Sequence, residues 1–406
     1  MKKLFFITVF AILGLSANSQ TAYVPNSCTH NVCVIDVATN TVTATIPVGG
    51  TPESVSVSQD GSKVYVANYG DNTVSVINTA TNTVTATIAV GSAPRGISVS
   101  HDGSKVYVTN FTANTVSVIN SATDTVTATI PVGSYPWGVS VTPDGSKVYV
   151  SNNHDNTVSV INTATNTVSA TITVGKAFCA PSGVSVSPDG SKVYVANEID
   201  TVSVINTATD TIMAKIRVGS QAYGISVSPD GSKVYVANFG VNTVSVINTA
   251  TNTVSATIIY GVLSGPWGIS VSPYGDKVYV VNSDPNTVGV INTATNTVTD
   301  TIAVVGTGPA AFGNFISIYP SGVGIASPSM VSAGIEVYPN PATNNITIET
   351  SQKSTIEIIN IQGQTIQQQP LQQGKTDIDI SGLAKGVYIL RLCSDDKTVV
   401  ARIVKE

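Results

Sequence analysis

The residues best able to do covalent or metal chemistry are few: four cysteines and three histidines in 406 residues. Cys28 and Cys33 bracket His30 in "CTHNVC". Two thiols on either side of a short turn suit a hairpin bridge, so a Cys28–Cys33 disulfide is the expectation and free thiols the alternative. The same trio lacks the further ligands a zinc site needs, so no metal and no cofactor are expected. No Gly-x-Ser-x-Gly nucleophile elbow is present. Glu53, Glu198 and His154 remain as acid–base candidates. A lone mixed set of this kind more often faces solvent than runs a reaction, and the chain is read as non-enzymatic.

The elements that position these residues come from a repeat. Tyr-Val-x-Asn recurs at Tyr23, Tyr65, Tyr107, Tyr149, Tyr194, Tyr235 and Tyr279. A period of about 40–45 residues built from short alternating segments suits the four-stranded blade of a β-propeller. One unit reads "GISVS", "KVYVTN", "TVSVIN" and "TVTATI" (96–130), each alternating at period two. Asp-Gly and Thr-Asn pairs supply the turns. The chain after residue 19 begins "QTAYVPN", at a second strand, and "FISIYPSG" (315–322) resembles the missing first strand. A segment at about 315–319 is therefore predicted to pair with 22–26 and close a seven-bladed ring, which removes exposed edges.

The bulk numbers agree. Charged residues are 11% of the chain, against about 25% in typical soluble proteins. Net charge is −5 with no basic cluster, which argues against nucleic acid as partner. Outside the N-terminus no apolar run approaches the ~18 residues of a spanning helix. Lys2, Lys3, the apolar stretch to Leu15 and the small residues Ala17 and Ser19 predict a signal peptide over 1–19. No cysteine at that cut supports a lipid anchor. The mature chain would meet an oxidising compartment.

The tetrads, with "SPDGSKVYV" and "VINTATNTV", resemble the YVTN-type seven-bladed propeller family over residues 22–320. That resemblance implies an extracellular or surface location and an architecture more than a chemistry. Some seven-bladed propellers are lactonases or lyases, so a channel-site hydrolase or lyase is one alternative. A structural, surface-layer-like scaffold is another. Residues 321–334 read as a Ser/Gly/Pro-rich linker. Residues 335–406 change composition, and six short alternating segments predict a small antiparallel β-sandwich. "VYPNPATNNITI", "IINIQGQ", "DISGLAKGVYIL" and "KTVVARIVK" resemble the C-terminal sorting domain of the type IX secretion system. This implies a Bacteroidota-type bacterium, the type IX machinery as partner, and export across the outer membrane. The fold class is therefore all-β: a seven-bladed β-propeller, 20–320, followed by a small antiparallel β-sandwich. The propeller is expected to be monomeric.

The repeats also show where they stop repeating. One rim, with the first–second and third–fourth turns, is nearly constant. The other, with the second–third turns and the connections between blades, varies. Its connections end in Glu53, Arg95, Trp137, Ser182, Tyr223, Trp267 and Asn314, each ahead of an inner strand. Tyr69, Phe111, His154 and Phe239 lie in the turns, and Tyr135, Phe178 and Tyr260 in the connections. Aromatic faces with Arg95 and Glu53 suit a glycan or a protein loop. The mouth on this rim is the predicted binding face, and the chain is read as a secreted or surface-attached adhesion or binding module. Asp-Thr-Val and Asp-Thr-Ile stretches resemble Bacteroidota O-glycosylation acceptors at Thr125, Thr201, Thr211 and Thr301. The alternative is ordinary strand-opening threonine.

Overall fold

Each repeat makes a four-stranded antiparallel sheet because its segments alternate and its turns hold residues that tolerate a left-handed backbone. The second blade shows the pattern. β4 (Pro52–Val57), β5 (Lys63–Asn68), β6 (Thr73–Asn78) and β7 (Thr83–Ala89) pair in chain order. Gly61, Asn72 and Asn82 carry the three turns at φ 69°, 57° and 54°, the region that Gly and Asn adopt most readily. Sheets of the same order span 94–131, 136–173, 181–217, 222–259 and 264–303. The computed structural model describes residues 20–175, 179–259, 264–311, 313–317, 336–338, 343–350, 353–360, 365–384, 386–393 and 398–405. The signal-peptide and linker readings, Phe178, Tyr260 and the last residues of the predicted closing segment lie outside them.

The core lies between blades rather than within one. Tyr65 packs with Ile97, Val99 and Val106 of the next blade, and Tyr107 with Val139 and Val148 of the one after. All seven tetrad tyrosines are at most 1% exposed. Burial pushes the phenols of Tyr107, Tyr194 and Tyr235 up to about 12. Lysine side chains stitch the blades together. Lys63 donates to the Ser121 carbonyl at 2.7 Å, and Lys147 to that of Thr207 at 2.7 Å. Lys277 carries the same stitch from the last blade to the first, at the Val37 carbonyl.

The first blade has three strands of its own: β1 (Thr21–Asn26), β2 (Asn31–Asp36) and β3 (Thr41–Pro47). Residues 309–311 and 313–317 run antiparallel along β1, with bridges Asn26↔Pro309 and Ala22↔Ile316. Tyr23 donates to the Phe315 carbonyl at 2.9 Å and Ser317 to that of Thr21 at 2.8 Å. The pairing thus begins earlier than residue 315. The segment also carries more residues between the bridges than β1 does opposite, turning at Gly313 (φ 91°). Phe315 is fully buried among residues of the first, second and last blades. Phe315→Ala is expected to cost about 3–5 kcal/mol, read as a fall in the denaturant midpoint. A loss below about 1 kcal/mol, the size of a buried methyl group, would mean this contact does not hold the ring.

The expected disulfide is not formed: Cys28 and Cys33 are free thiols. Cys33 sits in β2 opposite Val24. It is fully buried, and its thiol donates to the Val305 carbonyl at 3.3 Å. Cys28 is exposed in the turn beyond the ladder, beside the Ser27 hydroxyl. The register therefore gives Cys33 a valine as its cross-strand neighbour.

The chain divides into Met1–Val323 and Gly324–Glu406. In the second unit, 336–338, 345–350 and 374–379 form one sheet, and 354–359, 365–371, 386–393 and 398–405 form another. Ile346, Ile348, Ile356, Ile358, Leu390 and Ile403 fill the core of this sandwich. Among the described residues no helix is long and apolar enough to cross a membrane.

Candidate ligand-binding mouth

Side-chain hydrogen bonds hold the varying rim despite its irregular sequence. In most blades the second–third turn places an Asn in the left-handed region, as at Asn72, Asn114 and Asn156. Its side-chain oxygen accepts the backbone N–H of the connection leaving that blade: Ala93 at 2.8 Å, Tyr135 at 2.9 Å and Ala180 at 2.9 Å. Those three residues are themselves left-handed, at φ 56°, 54° and 46°, a conformation that costs non-glycine residues energy and persists only when neighbours enforce it. The fifth blade lacks that Asn, and there Gln221 donates instead to the Glu198 carbonyl at 2.6 Å.

Immediately inside the rim the strands meet around the axis. A Cβ at Gly224 would stand 2.7 Å from the Trp267 carbonyl oxygen, and Gly96, Gly138, Gly183 and Gly268 have still less room against the next blade's carbonyl. Only glycine permits that approach. Hydroxyls from the tetrads secure it: Thr109 donates to the Trp137 carbonyl at 2.7 Å and Ser151 to that of Ser182 at 2.5 Å. The variable residue of the tetrad thus has a use in these blades. At Gly268 the facing carbonyl belongs to Ala311. Ala311, not Asn314, therefore holds the seventh position, a shift caused by the bulge in the closing segment.

The residues that enter each inner strand converge on the axis. Trp137 and Tyr223 stack with centres 5.9 Å apart, Tyr223 and Trp267 lie 4.3 Å apart, and Trp137 meets Trp267 across the axis at 6.4 Å. Phe239 packs edge-on against both Tyr223 and Trp267. Trp137 is 7% and Tyr223 9% exposed, so the two fill the mouth rather than wall an open shaft. Arg95 lies over Trp137 with its guanidinium carbon 3.4 Å from the ring centre, 4.9 Å from that of Phe111 and 6.0 Å from that of Tyr69. Such contacts are attractive because the ring face is electron-rich. Tyr135 stacks on Phe111 at 4.7 Å, is 41% exposed, and meets His154 edge-on at 5.5 Å.

Three charges sit among these rings. Arg95 and Glu53 form an ion pair at 3.9 Å. Burial raises the Glu53 carboxyl above its ordinary range, and the Arg95 charge opposes that rise. Burial likewise lowers the Arg95 guanidinium, opposed first by Glu53. Glu198 accepts from Asn153 at 2.8 Å, and burial raises it as well.

The structure thus gathers Glu53, Arg95, Trp137, Tyr223, Trp267, Tyr69, Phe111, Tyr135, His154 and Phe239 at one mouth, and leaves Ser182 buried in the inner ring. His101 lies on the opposite rim, and the described residues hold no cluster of metal ligands. Sequence reasoning missed Ile199, Val241, Ile259 and Val305, 50%, 48%, 76% and 58% exposed. All four fall in non-repeating segments of the same rim, which was the signal available for them. Thr125 and Thr211 open outer strands and are exposed beside Asp124 and Asp210, which are ion-paired to Lys63 and Lys147. Thr301 is exposed within an outer strand, and Thr201 is half-buried and accepts from Asn197.

Fold and site define a seven-bladed β-propeller with a separate C-terminal sandwich. The chain belongs to the YNCE-like β-propeller family, which matches residues 8–103, 98–191 and 174–277. Residues 336–406 match the secretion system C-terminal sorting domain, which marks the protein for export through the type IX system to the cell surface or extracellular space. No curated protein matches the chain. Among solved structures, a functionally unknown protein from Desulfotomaculum acetoxidans is 18% identical over 73% of this chain and 100% of its own, at a TM-score of 0.64. Hydrazine synthase of Kuenenia stuttgartiensis is 22% identical over 70% and 99%, at 0.60. A candidate 6-phosphogluconolactonase from Bacteroides uniformis is 16% identical over 72% and 98%, at 0.62. At these identities the likeness is one of fold.

Proposed function

We propose that this exported propeller is a non-enzymatic binding module whose extracellular ligand rests on the aromatic mouth. The observation that carries this reading is the convergence of seven aromatic rings around Arg95, Glu53 and Glu198 on one rim, while the opposite rim repeats the same turn. Partly exposed rings with a few fixed polar groups are what recognition sites use. Behind the plug, the waist of the channel is lined by residues such as Gly96, Ile97, Val139 and Ile225 with Ser54, which favours recognition at the mouth over chemistry in the channel.

Screening the purified protein against extracellular glycans and proteins supplies the test. The ligand found is expected to bind Tyr135→Ala and His154→Ala variants about tenfold more weakly, the loss of one good contact. Tyr274→Ala, on the opposite rim, should bind unchanged. Weakening by Tyr274→Ala alone would move the site off this mouth.

A further inference from the structure

The Arg95–Glu53 pair is unusual in what it does not do. The guanidinium side chain is 14% exposed and the carboxylate 17%. Their one mutual contact, at 3.9 Å, is longer than a hydrogen bond. The Arg95 Nε is buried without a hydrogen-bond partner. Among the described residues no hydrogen bond holds the rest of the guanidinium or the Glu53 carboxylate. Buried charges left this way are costly, so the pair has donors and an acceptor ready for a guest that offers both.

The charge of the mouth narrows the guest. Glu53 and Glu198 face Arg95, Asp71 and Asp155 stand in the surrounding turns, and Asp200 is already ion-paired to Arg217 at 3.3 Å. An anionic ligand meets a net negative field. A cationic ligand would set like charge beside Arg95, which covers Trp137 and Phe111, and would offer its unpaired Nε–H no acceptor. What remains is a neutral molecule with an apolar face for the exposed Tyr135 ring and adjacent hydroxyls for Arg95 and Glu53. A neutral hexose or pentose has both.

We infer that the mouth binds neutral glycans: a sugar ring stacks on the aromatic residues, and vicinal hydroxyls bridge Arg95 and Glu53, one accepting from the guanidinium and one donating to the carboxylate. This rests on the mouth being the binding face. Affinity electrophoresis of the full mature chain tests it, in native gels containing neutral β-glucan, xylan or galactomannan, or acidic polygalacturonate. At least one neutral polysaccharide is expected to retard the protein, and polygalacturonate not to. Glu53→Gln and Arg95→Met should each weaken that retardation about tenfold, as expected for lost hydrogen bonds to charged groups. Tyr135→Ala serves as a second variant because alanine already occupies the same backbone position at Ala93 and Ala180. A circular-dichroism melt checks that each variant is folded. Retardation by polygalacturonate alone, or by none of the four, overturns the neutral-glycan assignment. If the same variants nonetheless lose a protein ligand, the mouth stands and only the glycan class falls. Retardation unchanged in all three variants refutes the mouth itself.

Discussion

Gly268→Ala is expected to destabilise the propeller by about 3 kcal/mol or more, the upper end of what overpacking a rigid interior costs. The added methyl group would overlap the Ala311 carbonyl, where the last inner strand meets the closing segment. Both sides of that contact are backbone, so no side chain can turn away to relieve it. Gly103→Ala is the matched control. Gly103 sits at φ 71° in the turn after an inner strand, on the opposite rim, with nothing within 4 Å of the new atom, so only the left-handed backbone penalty of about 1–2 kcal/mol applies. Denaturant midpoints of the two variants measure the difference. Equal losses would mean the inner ring can spread to admit a side chain, and the close approach would then not set the ring's diameter.

Removing residues 335–406 is expected to leave the propeller folded and to abolish its export, with the product held in the periplasm. The closing hydrogen bonds of the ring lie at or before Ser317, and the tail fills its own core with residues such as Ile348, Ile358 and Leu390. The deletion therefore subtracts the sorting signal without opening a blade. Fractionation with immunoblotting checks location, and a thermal melt of the periplasmic product checks folding. Secretion of the truncated chain at the normal level would contradict the sorting role of the tail.

The architecture was legible because the repeat encodes its turns. Asp-Gly, the Asn before the third strand of most blades and the Thr-Asn pairs fix left-handed positions that recur with the repeat, and alternation fixes which face is buried. The location of the site was legible for the complementary reason: residues such as Arg95, Trp137 and Trp267 depart from the repeat at one rim. The sequence did not reveal that Trp137 and Tyr223 close the axis, because contact across a ring depends on its diameter. The diameter follows from backbone approaches at Gly138 and Gly183. Spacing alone also misjudged Cys28 and Cys33, since the hairpin register, not their separation, sets their neighbours. The closing segment was hardest to align: it keeps the pairing with β1 but not the length of the other inner strands, and so Asn314 was placed where Ala311 stands.

The split first blade has a consequence for inheritance as well as for folding. Repeats this alike in sequence invite unequal recombination, which adds or drops whole units. Six blades are continuous in the chain and could be lost or duplicated without damage to their own hydrogen bonding. The first exists only when Tyr23 finds Phe315 and Lys277 finds Val37, so it reads the number of copies between them. Ring closure is thus a copy-number check: a chain with one unit too few or too many keeps intact blades yet brings its two ends to the wrong places.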